Sequence, residues 1–134
     1  MKAVYLTIVA LSFSAISFAQ DIIHTKSETP DKEYQNILVH TLSDDENQTS
    51  FMIWIKNGVK LHKHLEHTEN IYVLKGKGEM TIGDEKLVIK KGDYFSIKKN
   101  TPHALKVLSS SPMKVISIQS PKFIGKDRIF INEE

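Results

Sequence analysis

The chain contains no cysteine. That excludes disulfide staples, thiolate metal ligands and a lipid-anchored thiol together. The fold must therefore rest on its own core, on a metal ion or on a partner subunit, and a homodimer is among the arrangements expected. Arginine is almost missing too, with Arg128 the only one. The other cations are lysines interleaved with Asp and Glu, 18 basic residues against 16 acidic ones, for a net charge of +2. No basic stripe forms, so neither nucleic acid nor an acidic membrane surface is an expected partner. Helical periodicity is scarce, no unit repeats and no linker divides the chain. Its 134 residues suffice for one domain.

One long apolar run is present, and it stands at the N-terminus. Lys2 precedes an apolar stretch over residues 3–16, and Ser17-Phe18-Ala19 puts small residues at the two positions a signal peptidase reads. This pattern predicts a signal peptide over residues 1–19. The run is shorter than the ~20 residues a membrane span needs. A secreted or periplasmic protein is expected, free of the membrane once the signal is removed. Residues 20–33 are polar and read as an extended N-terminal segment, leaving residues 34–134 as the folded domain.

From there the pattern is of short strands separated by turn residues. Strands are expected over 34–42, 51–55, 59–64, 69–74, 79–82, 86–89, 94–97, 103–108 and 113–119, with a last strand or a turn of helix within 123–131. Ser43 to Asn47, Asn57-Gly58 and Gly83-Asp84-Glu85 read as turns, the second because both residues accept positive φ. An all-β sandwich or barrel follows.

Three of the six histidines fall within six residues, His62, His64 and His67. Side chains at i and i+2 of a strand share a face, so His62 and His64 project together. Glu69 opens the return strand on the same face as Ile71 and Val73. A lone carboxylate on that apolar surface is costly, and coordination to a cation removes the cost. His103 likewise begins a stripe with Leu105 and Val107. Imidazoles and a carboxylate in this pattern point to a metal ion.

These residues resemble the two motifs of the cupin superfamily, in its small single-domain form. The first runs Gly58, three residues, His62-Lys63-His64, four residues, Glu69, six residues, Gly76; only the leading spacer is shorter than usual. The second keeps Gly92 and His103, but Lys98 stands where Pro is usual, Asn100 where Gly is usual and Val107 where Asn is usual. Asn tolerates left-handed backbone nearly as Gly does, so that exchange is mild. The resemblance spans residues 51–120. It implies a double-stranded β-helix (jelly-roll) barrel with His62, His64, Glu69 and His103 holding one divalent metal ion. His67 is expected on the surface of the turn, with a swapped ligand as the alternative. Lys60 is expected on the side of His62, gripping an anion or snorkelling to the mouth. Trp54, Tyr72, Phe95 and Phe123 are candidates for pocket lining or core.

Three imidazoles and a carboxylate suit Mn, Fe, Ni, Co, Cu or Zn and leave open positions on the ion. Two functions of different class are consistent with this. One is a metal-dependent enzyme on a small polar molecule, a sugar or uronate derivative or the target of an oxygen-dependent cleavage. The other is a non-catalytic module binding a small ligand or metal in the periplasm or at the cell surface. No acid or base beyond the four ligands stands out.

Overall fold

The computed structural model describes residues 22–131. The expected signal peptide lies outside them. Ten strands follow in order: β1 (Ile37–Asp44), β2 (Thr49–Ile55), β3 (Gly58–His64), β4 (Thr68–Lys75), β5 (Lys77–Ile82), β6 (Glu85–Lys90), β7 (Tyr94–Ile97), β8 (His103–Val107), β9 (Met113–Ser120) and β10 (Arg128–Phe130). They form two antiparallel five-stranded sheets, ordered β1-β2-β9-β4-β7 and β10-β3-β8-β5-β6. The two ladders stay separate and face each other as a jelly roll, the double-stranded β-helix expected from the sequence.

Alternation decides which residues fill the gap between the sheets. Val73, Met113 and Ile97 are wholly buried there, with Ile53, Ile55, Ile71 and Val115 around them. Each contributes about 2 kcal/mol of burial. β2 is buried on both faces, which is why it reads as an unbroken apolar run. Its outward Met52 and Trp54 pack with Leu38 in a second cluster, flanked by Tyr34, Leu42 and Leu74. Beside this cluster Lys114 donates to the carbonyls of Thr25 (2.7 Å) and Glu28 (2.9 Å), tying the segment before β1 to this outer face.

Two local features differ from the sequence reading. Ser43 and Asp44 belong to β1, not to the turn, because a register shift after Thr41 carries the pairing with β2 on to Asp44↔Thr49. β3 also changes phase: its register against β8 shifts between Val59 and His62. Val59 therefore joins the inner face with His62 and His64, while Lys60 is exposed. At the start of β3 the chains approach so closely that a Cβ on Gly58 would stand 2.2 Å from the Leu105 carbonyl oxygen.

Candidate metal centre

β3 and β8 run side by side with His62 directly opposite His103. His64 follows two residues later on the same face. Across the gap, β4 presents Glu69 from the other sheet. The structure thus brings together His62, His64, Glu69 and His103, all buried, with one donor atom from each lying within 4.8 Å of the others. Ligands ~2.1 Å from one ion stand roughly 3–4 Å apart, so little contraction is needed.

The ring orientations are fixed from behind. His62 Nδ1 lies 2.8 Å from the Lys60 carbonyl and His103 Nδ1 2.9 Å from the Thr101 carbonyl. A carbonyl only accepts, so each Nδ1 carries the proton and each Nε2 presents its lone pair to the centre. His64 Nδ1 faces Asp127 Oδ2 at 3.5 Å, which again leaves Nε2 inward. Glu69 Oε2 is 3.3 Å from His103 Nε2 and 3.6 Å from His64 Nε2. Neither of those nitrogens has a hydrogen-bond partner. Buried lone pairs converging on a carboxylate oxygen are an arrangement that a bound cation would satisfy. The donor set fits a divalent ion.

Glu69 is held by residues the sequence reading passed over. Ser117 donates to its Oε1, and Gln119 Nε2 does so at 3.3 Å. Oε2 is left for the centre. Burial would raise this carboxyl, but His103, His64 and Ser117 outweigh burial and hold it well below the usual carboxylate range. Burial first, then the neighbouring His103 ring, lowers His62 from 6.5 to about 4, so its ring is neutral and ready to coordinate. The one available signal was in β9, whose inward stripe turns from Met113 and Val115 to Ser117 and Gln119 as it nears Glu69.

His67 is not on the surface. It is 2% exposed, with Nδ1 against Asp127 Oδ2 and Nε2 2.8 Å from the Lys122 carbonyl. Both nitrogens face acceptors, so both are placed to donate. Asp127, 60 residues away, also accepts the backbone N–H groups of Leu65 and Glu66 (2.8 Å each) and of His67 (3.2 Å). Burial opposes its ionisation, yet the Glu66 amide and the His67 ring lower its pKa. His64, His67 and Asp127 could also be read as a metal cluster. The His67 ring and the Asp127 carboxylate are already hydrogen-bonded to each other and to the backbone, whereas at the four-residue centre His64 Nε2 and His103 Nε2 have no partner. No short-range pattern announces Asp127.

The remaining candidates separate. Phe95 lines the cavity that leads to the centre, as do Ile71, Leu105 and Arg128. Lys60 does not; it lies in a shallow groove with Leu61, Phe130 and Ile131. Trp54 belongs to the outer cluster and Tyr72 is exposed. Phe123 packs on the rings of Phe51 and His67. Asn100 has φ of 63°, the left-handed backbone for which Gly is usual at its position in the second motif.

Comparison with known proteins agrees with this architecture. The chain is 35% identical to an uncharacterized protein of Aquifex aeolicus over 95 residues, 71% of this chain and 78% of that one. It is 37% identical to an uncharacterized protein of Methanocaldococcus jannaschii over 67 residues, half of this chain and 54% of the other, so it spans about half that relative's length. A solved structure from Klebsiella pneumoniae, described as an uncharacterized conserved protein with a double-stranded beta-helix domain, superposes with a TM-score of 0.72 at 13% identity, covering 86% of this chain and 100% of that one. A family model, the cupin domain, matches residues 51–119. The chain belongs to the cupin family.

Proposed function

We propose that this cupin is a metal-dependent enzyme acting on a small molecule that reaches the ion through the cavity between the sheets. One observation carries the reading. Four buried donors meet beside that cavity, three of them (His62, Glu69 and His103) on its wall, and two, His64 Nε2 and His103 Nε2, have no other partner. A bound divalent ion would supply Lewis acidity, or redox chemistry if it is Fe, Mn, Ni, Co or Cu, at positions the protein leaves open. The chain's own part is to keep the imidazoles neutral and aimed, to keep Glu69 ionised through Ser117 and Gln119, and to wall the site from bulk water with aliphatic side chains. Export to the periplasm or medium belongs to the same proposal and rests on residues 1–19; mature protein beginning at or near Gln20 is its test.

Element analysis of protein purified without added metal is expected to give close to one equivalent, lost in His62→Ala, His64→Ala and His103→Ala but kept in His40→Ala. Full occupancy in His64→Ala would place the ion elsewhere. The second reading, a binding module without turnover, draws on the cavity wall, whose only titratable groups beyond the centre's own ligands are on Arg128. Metal-loaded protein that binds small ligands but converts none would favour it.

A further inference from the structure

We infer that the cavity takes a small monoanion with an apolar body, a short-chain aliphatic carboxylate, whose charge is met by Arg128. The inference rests on the metal reading above and names the ligand class for that site. Apart from His62, Glu69, His103 and Arg128, every side chain lining the cavity is aliphatic, Met or Phe. The wall has no hydroxyl, no amide and no lysine. A sugar or uronate would have to bury several hydroxyls against Ile, Val and Leu with nothing to pair them, which counts against the polar substrate expected from the sequence. The empty space is about 70 Å³, under half the ~150 Å³ that accommodates a benzene ring. A body of a few carbons fits, and a ring system does not.

The single cation is placed by strand register. Arg128 stands opposite His64 in the β10–β3 pair, and directly opposed residues of an antiparallel pair share a face. It thus stands on the His64 side of β10, where its side chain, itself exposed to solvent, lines the mouth of the cavity. No ion pair joins it to another described residue. A guanidinium offers two parallel N–H groups to a carboxylate, a fit that an ammonium lacks. The phase change in β3 removes the competing candidate, Lys60, from this cavity. An apolar pocket with one free guanidinium at its wall selects a charge and excludes further polarity.

Calorimetric titration of the full mature chain, metal-loaded and metal-stripped, with isovalerate, isovaleramide, glycerate and glucuronate tests this. Isovalerate is expected to bind at least about tenfold more tightly than its amide and than either polar acid. Arg128→Gln should erase the preference for acid over amide, and Arg128→Lys should restore part of it. Equal affinity for isovalerate and isovaleramide, tighter binding of glycerate or glucuronate, an unchanged preference in Arg128→Gln, or no isovalerate binding at millimolar concentration would each overturn the inference. Metal content is read on the same samples. Protein that never holds metal sinks the metal reading alone, because the acid-over-amide preference of stripped protein still decides the ligand class.

Discussion

Replacing Asp127 by Asn probes how the C-terminal segment holds the histidine-bearing turn. The wild-type carboxylate is nearly buried and accepts from three backbone N–H groups and the His67 ring while facing His64 Nδ1. Asparagine keeps the shape and loses the charge. If its oxygen takes the Leu65 and Glu66 amides, its NH2 faces the His67 amide and ring as donor against donor; flipping it moves the conflict to the other pair. One buried N–H is left unmet either way, and the hydrogen bonds that remain lose the charge of their acceptor. The cost of that is about 3 kcal/mol. With a urea dependence of 1–3 kcal/mol per M, the unfolding midpoint of metal-free protein should fall by roughly 1–3 M.

The same substitution should weaken metal binding about 10- to 100-fold, because His64 loses the carboxylate that orients its ring. His67→Gln is the control. It removes the ring but leaves Asp127 its three backbone donors, so a loss nearer 1 kcal/mol and full metal content are expected. Competition with a chelator gives the affinities. An Asp127→Asn protein within about 0.5 kcal/mol of wild type, with unchanged metal affinity, would refute the reasoning.

Glu69→Gln should lower metal affinity while the fold is retained by circular dichroism; if His67→Gln empties the site and Glu69→Gln does not, the ligand assignment is wrong. Because His62 is lowered to about 4 in the folded chain, the unfolded chain takes up its proton first as pH falls below about 6.5. Metal-free protein should therefore lose on the order of 2 kcal/mol between pH 6.5 and 4, and a flat urea midpoint across that window would count against the burial of this ring. Gly58→Ala should cost about 1–3 kcal/mol by pushing β3 off the Leu105 carbonyl, and an unchanged melting temperature would show that the two strands part freely.

The four donors were legible because each depends on a local rule. His62 and His64 are two residues apart in one strand, Glu69 leads the apolar stripe of the next, and His103 does the same in β8. The turn chemistry was local as well, down to Asn100 at positive φ. Asp127 was illegible for the opposite reason. Its partners, the amides of residues 65–67, are backbone groups with no side-chain signature, and 60 residues separate them from the carboxylate. Sequence periodicity cannot announce a long-range cap on a turn, so His67 looked like one more polar loop residue.

Lys60 and Arg128 show how one irregularity redirects a functional reading. Strict period-two alternation assigns Lys60 to the face of His62 and makes it the natural cation for an anionic ligand. The register shift between Val59 and His62 breaks that parity, and a strand out of phase by one residue exchanges its two faces. Val59 then lines the cavity and the lysine goes to solvent. The cation at the cavity mouth comes instead from β10, three residues long and paired only along β3. So short a strand gives too few residues for alternation to show, and all three of them are exposed. The charge that selects a ligand thus depends on the pairing of β10, and the apolar wall around it on strands whose pattern was plain from the start.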